Sequence, residues 1–235
     1  MDYMDYPLRA LIQERNKQFQ GLNDNVMIDT RFQLKIVDLG LARQITSYND
    51  RSVYVTTRFY RAPEVVLFTT YEHKVDVWSI GCIFAELLTG SILCPGRDKC
   101  DQWTKIVNVV GSPDESFISK LDEQLQAHVR SMPMKEPLNF EVLFSDEVFP
   151  KNDQPFCNAK NGRDLLSRML VIDPDLRISA AEALKIPYVS WKSHMDELSS
   201  PPRGHYDARM ENVSFSIDEW KRVIFERIKD YEQNQ

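Results

Sequence analysis

Between His73 and Thr89 the chain carries Val75, Val77, Trp78, Ile80, Ile83, Phe84, Ala85, Leu87 and Leu88. At 3.6 residues per turn these positions cover most of a helical circumference, not a single stripe. A helix that is apolar nearly all round must be enclosed by other elements. The spacing therefore predicts a helix over 73–89 at the centre of a domain, stopped by Gly90. Asp76, Ser79 and Glu86 interrupt the run, and its apolar stretch is too short to span a bilayer.

A chain of 235 residues has room for one large domain or two small ones around such a helix. A net charge of −6 argues against nucleic acid or an anionic membrane as the main partner, and suits partners that present basic segments. Cys82, Cys94, Cys100 and Cys157 form no C-x-x-C pair, and His73, His128, His194 and His205 do not cluster with them. That pattern argues against a zinc site and a disulfide framework, and fits reduced thiols in a cytoplasmic or nuclear protein. The acidic start, Met1-Asp2-Tyr3-Met4-Asp5-Tyr6, has no apolar core of the kind a secretory signal needs.

Around the central helix, Pro7 to Phe19 reads as a short amphipathic helix with Leu8, Leu11 and Ile12 on one side. Val26-Met27-Ile28 and Leu34-Lys35-Ile36-Val37 read as a hairpin. Pro63 suits the first turn of a short helix over 64–68. Further amphipathic helices are predicted over 101–110 and 162–171, and a short one over 179–184. The stretch from Met132 to Pro155 reads as irregular with short helical pieces. Trp78, Trp103 and Trp191 are candidate core residues. Ser199-Ser200-Pro201-Pro202-Arg203-Gly204 is a linker, and Ser216 with Glu219 forms a capping box for a last helix over 217–231.

The chemistry-bearing residues lie between the hairpin and the central helix. Asp38-Leu39-Gly40, then Ser52-Val53-Tyr54, then Thr57-Arg58-Phe59-Tyr60-Arg61-Ala62-Pro63-Glu64 follow one another there. In this order and spacing they resemble the activation segment of a protein kinase. Val75 to Ile83 followed by Leu93-Cys94-Pro95-Gly96-Arg97-Asp98 looks like a MAP kinase. Gly96-Arg97-Asp98 with Asp101-Gln102-Trp103, Phe140 to Pro150, and Ile217-Asp218-Glu219-Trp220-Lys221 resemble the c-Jun N-terminal kinases in particular. The likeness runs from about Asn25 to Tyr231.

The resemblance implies a mainly α fold (α+β by family), a protein-kinase-like C-terminal lobe with a small β-hairpin, a MAP kinase insert and a C-terminal helix. Residues 1–20 would be a hinge-like segment and short helix, 21–190 the lobe, and 191–235 an extension packing back on it. By the same resemblance Asp38 and Asn25, thirteen residues apart, are the magnesium ligands that would serve ATP. The general-base position falls on Gln20, and glutamine cannot accept a hydroxyl proton as a carboxylate does. Ser52 and Tyr54 match the dual-phosphorylation pair. Arg43, Arg58 and Arg61 would pair with the added phosphates, and Thr57 and Arg58 would shape the pocket for a proline after the target residue. Glu64 and Arg177 match a buried ion pair, and Asp76 a carboxylate that organises the catalytic loop. Asp196 and Glu197, with Leu8 and Leu11, match the docking surface for basic peptides. MAP kinase kinases, docking-motif substrates or scaffolds, and dual-specificity phosphatases are the partners implied.

Ahead of Asp38 there is no glycine-rich loop, no Val-Ala-x-Lys strand and no His-Arg-Asp. A nucleotide-binding lobe of five strands and a helix needs about 65 residues, more than the sequence holds before its hinge-like segment. The sequence thus leaves two expectations open: a Ser/Thr-Pro-directed kinase, or a catalytically impaired lobe that binds activators, substrates or scaffolds. The long helix that would cover one face of 75–88 is also expected to be missing. Three or four large side chains left wet there would forgo roughly 1.5–3 kcal/mol each.

Overall fold

A computed structural model describes residues 6–7, 26–28, 34–37, 58–67, 71–151, 155–190 and 213–233. The chain divides into two compact units, Met1–Ser193 and His194–Gln235.

The first unit begins with a small antiparallel sheet of order β1-β2-β3, formed by β1 (Tyr6–Pro7), β2 (Val26–Ile28) and β3 (Leu34–Ile36). β2 and β3 pair as the expected hairpin, with Met27 opposite Lys35. β1 was not expected: Tyr6 faces Ile28 and Pro7 faces Met27, so Pro7 lies in a strand and does not open a helix. Proline disfavours helical backbone in the residue before it and lacks an N–H. Both properties suit an edge strand, which is the place β1 takes.

The helices of this unit are α1 (Pro63–Val66), α2 (Lys74–Thr89), α3 (Lys99–Val110), α4 (Glu115–Ile118), α5 (Glu123–Ser131), α6 (Phe140–Leu143), α7 (Ala159–Met169), α8 (Ala180–Ala183) and α9 (Pro187–Ser190). Single 3₁₀ turns occupy Arg58–Tyr60 and Asp146–Val148. Most of the helix starts are set by a side-chain oxygen. Asp98, Asp114, Asp122, Asn158 and Ser179 each accept the backbone N–H three residues ahead, and Asn139 takes that of Glu141. Each such cap contributes about 1 kcal/mol. At Ser179 the reciprocal bond from its own N–H to Glu182 completes a capping box. Gly90 ends α2 at φ 73°, left-handed backbone that costs glycine least, and its N–H donates to the Glu86 carbonyl at 2.7 Å.

α2 is central, as its composition predicts. One side of it, Trp78, Cys82 and Ala85, belongs to a core with Trp103, Ile106, Phe117, Phe144 and Leu166. Another, Val77, meets Leu165 and Met169 of α7 with Ile178 and Ile186. Trp78 and Trp103 are core residues as expected, whereas Trp191 lies outside the described residues. The remaining face is open: Ile80 is 54% and Leu87 47% exposed, and Ile83 and Phe84 are half-buried. Beside it runs a groove of about 310 Å³ with almost wholly apolar walls from α2, α7, α8 and α9.

The second unit contains α10 (Ile217–Gln233). Ser216 and Glu219 form the predicted capping box, with bonds of 2.8 Å from the Ser216 N–H and 3.4 Å from the Glu219 N–H. The edge of one aromatic ring meets the face of the other between Phe215 and Trp220, 5.1 Å between centroids. Among the described residues no helix is long and apolar enough to cross a membrane.

Candidate functional site

The segment from Arg58 to Leu67 leads into the helical core and is tied to it at several points. Its 3₁₀ turn ends on Tyr60, which is buried. The Tyr60 hydroxyl donates to Glu86 Oε2 at 2.8 Å, and its carbonyl accepts from the Ser79 hydroxyl at 2.8 Å. Both partners stand on α2, so two of the three polar interruptions of that apolar helix, Ser79 and Glu86, hold this turn. Pro63 then opens α1 at its first position, where a missing N–H costs nothing.

Glu64 follows, 1% exposed, and meets Arg177 in a two-pronged ion pair: Nη1 to Oε1 at 2.7 Å and Nη2 to Oε2 at 2.8 Å. Arg177 donates its three other N–H groups to the carbonyls of Val171 (2.9 Å), Lys74 (2.9 Å) and Ile172 (3.1 Å), which uses all five. Its guanidinium carbon also sits 5.3 Å from the Trp78 ring centroid. One buried cation thereby joins α1, the start of α2 and the loop at 171–177. Beside it, Lys120 bridges Asp173 at 2.7 Å and Asp175 at 2.6 Å. Hydrogen bonds to those two carboxylates raise the Lys120 pKa, and Lys120 in turn holds Asp175 below the usual carboxylate range.

On its other side the turn is fastened to the loop before α3. Arg58 Nη1 donates to the carbonyls of Gly96 (3.4 Å) and Arg97. Gln102 on α3 is fully buried. Its Oε1 accepts the Gly96 N–H at 3.1 Å, and its Nε2 reaches the Phe59 carbonyl at 3.5 Å. A side chain on Gly96 would start 2.4 Å from the Gln102 backbone, so only glycine fits this crossing.

Of the residues singled out from sequence, Arg58, Arg61, Glu64, Asp76 and Arg177 fall among those described. Glu64 and Arg177 are brought together as expected. Arg58 and Arg61 lie in one turn, where the Arg61 N–H donates to the Arg58 carbonyl at 3.1 Å, and the Arg58 side chain turns to the 96–97 carbonyls. Asp76 lies in the first turn of α2, and its side chain keeps an open edge to solvent. The protein crowding its other side raises the carboxyl pKa, with His73 acting in the opposite direction. Among the described residues no donor bonds to the Asp76 side chain. Leu8, Leu11, Gln20, Asn25, Asp38, Arg43, Ser52, Tyr54, Thr57, Asp196 and Glu197 lie outside the described residues. Among the described residues no group of three His, Cys, Asp or Glu side chains gathers to hold a metal ion. The buried thiols of Cys82 and Cys94 are pushed upward by desolvation, Cys94 to about 12, and stay protonated and inert.

Gln102 was legible in sequence only as one letter of the Asp101-Gln102-Trp103 run, with no role attached. The signal that marks it, a fully buried amide between two backbone partners, exists only in three dimensions.

Residues 23–189 match the protein kinase domain. The chain is 45% identical over 208 residues to the stress-activated protein kinase jnk-1 of Caenorhabditis elegans, covering 88% of this chain and 45% of that one. It is 43% identical to the stress-activated protein kinase JNK of Suberites domuncula over 88% of this chain and 58% of that one. Against the protein of the same name from Drosophila melanogaster the identity is 40%, over 88% and 56%. The chain spans about half the length of the curated relatives it matches.

Proposed function

Because the chain belongs to the protein kinase family and is like the c-Jun N-terminal kinases within it, we propose that it forms the substrate- and activator-binding lobe of a Ser/Thr-Pro-directed kinase but does not itself transfer phosphate. The observation that carries the first half is the Arg58–Tyr60 turn, fastened at once to α2, α3 and the loop before α3. A peptide-reading surface must be rigid before the peptide arrives, since ordering it on binding subtracts from affinity. The second half rests on Gln20 in the general-base position. Phosphoryl transfer depends on positioning and charge stabilisation, and a neutral amide there removes the group that takes the hydroxyl proton.

In this reading Ser52 and Tyr54 receive phosphate from a MAP kinase kinase, and Arg43, Arg58 and Arg61 pair with it. Asp38 and Asn25 are the candidate magnesium ligands. Asp196, Glu197, Leu8 and Leu11 take basic docking peptides from substrates, scaffolds or dual-specificity phosphatases. The lobe carries a MAP kinase insert in this reading, and the protein works in cytoplasm and nucleus.

The test is incubation of the chain with labelled ATP, magnesium and a c-Jun-like substrate. No label above a no-protein control is expected, alongside measurable peptide binding. Labelling that disappears in Asp38→Ala would falsify the non-catalytic half and leave the binding half standing.

A further inference from the structure

Gln102 is the least accounted-for side chain at this surface. It is polar and fully buried, and both its ends bond to backbone groups of other segments: the Gly96 N–H at 3.1 Å and the Phe59 carbonyl at 3.5 Å. Burying an amide is costly unless its donor and acceptor are both used, and an apolar side chain of the same volume would fill the space without that cost. What the amide adds is direction. It holds the carbonyl of Phe59, in the middle of the Arg58–Tyr60 turn, at a set distance from the loop on which Arg58 lays its guanidinium. The loop is itself fixed: Asp98 caps α3 through the Asp101 N–H at 2.9 Å, and the Gln102 N–H donates to the Asp98 carbonyl at 2.9 Å.

We propose that Gln102 is a positioning residue that sets the shape of the pocket for the residue following the phosphoacceptor, and so the preference for proline there. It touches no substrate and acts through the backbone of Phe59 and Gly96. The proposal rests on the reading of the 58–60 turn as the wall of that pocket.

Two fluorescent peptides test it, one with Ser-Pro and a twin with Ser-Ala, titrated into the full chain and its variants. The wild type is expected to favour the Ser-Pro peptide by about tenfold, the order of one well-placed contact. In Gln102→Glu the ionised carboxylate loses the donor to Phe59 and the ratio falls toward one at pH 8. Burial raises that carboxyl's pKa, so lowering the pH to 5 protonates it, returns a donor and restores the ratio. Arg58 and Arg61 on the turn, Arg97 and Asp98 in the loop, Asp101 on α3, Glu64 on α1 and Glu86 on α2 are common to both proteins, so the wild-type profile subtracts their titration. Gln102→Met, close in volume, should show a ratio near one at both pH values. Folding of each variant is checked by circular dichroism. If neither folds, the side-chain amide resonance of Gln102 in the wild type decides: it should shift with the Ser-Pro peptide and not with its twin.

Wild-type discrimination kept by both folded variants, or a Gln102 resonance unmoved by the Ser-Pro peptide, overturns the proposal alone. A wild type that does not distinguish the peptides overturns the pocket reading and this proposal with it.

Discussion

Arg177 and Glu64, 113 residues apart in the chain, are joined by two nearly parallel hydrogen bonds of 2.7 and 2.8 Å, with side chains 0% and 1% exposed. Neither charge reaches water, so each depends on the other for its solvation. Removing one partner leaves a buried ion uncompensated, which costs far more than the pair is worth against an apolar replacement. Glu64→Ala and Arg177→Ala should each lower unfolding free energy by about 3–5 kcal/mol in urea denaturation. The double substitution should cost less than the sum of the two. Strict additivity would show that the pair is not coupled.

The Lys120 bridge gives stability a pH signature. Asp175 has its folded pKa lowered and Lys120 its folded pKa raised by the same contacts. The carboxylate's contribution is complete above its unfolded pKa of about 3.9 and fades as pH falls through the folded value. The ammonium's is complete below about 10.4 and fades above it. Lys120→Met should therefore lower the melting midpoint at pH 7, and the gap to wild type should close as pH falls from about 4 to 2. A gap that stays constant over that range would rule out the ionic contribution.

The open face of α2 predicts a sticky molecule. Ile80 and Leu87 stand one heptad apart on it, beside the apolar groove. Dye binding to exposed apolar surface, self-association and a low unfolding midpoint are expected. Ile80→Lys with Leu87→Lys should reduce self-association without lowering the midpoint, because neither side chain is buried. A sharp melt above about 65 °C, beyond the usual mesophile range, would contradict this expectation.

Phosphorylation tests the Ser-x-Tyr assignment. Tyr54 lies sixteen residues after Asp38, the family spacing, and mass spectrometry after incubation with an active MAP kinase kinase should find phosphate on Ser52 and Tyr54. A folded chain modified at neither site would sink the assignment.

Docking by basic peptides should be sensitive to charge. Fluorescence polarisation should show affinity falling as salt rises, and falling on Asp196→Lys with Glu197→Lys, since screening and charge reversal act on the same attraction. Unchanged binding in the double variant removes the docking surface from this reading.

The span of α2, its stop at Gly90, the Ser216–Glu219 box and the β2–β3 hairpin were all legible along the chain. Each depends on residues within a few positions of one another: a period of 3.6, a left-handed cap, a side chain reaching three residues ahead. α4 and α5 passed unread although Asp114 and Asp122 cap them, because a short helix presents too few turns for a period to show. β1 has no local signal either, and apart from Pro7 the helix expected over 7–19 lies outside the described residues. The strand at Tyr6–Pro7 exists only because β2 offers an edge to pair with.

What the sequence alone determined about this protein is its family and those elements with a long period or a local cap, since activation-segment motifs, apolar periods and caps are written in neighbouring residues. Tertiary structure decided the rest: which face of α2 stays open, that Ser79 and Glu86 interrupt an apolar helix in order to hold Tyr60, and that Gln102 stands between Phe59 and Gly96. The physical reason is the cost of burial. A polar side chain inside the core must find partners wherever the folded chain brings them, and no local pattern says where that will be.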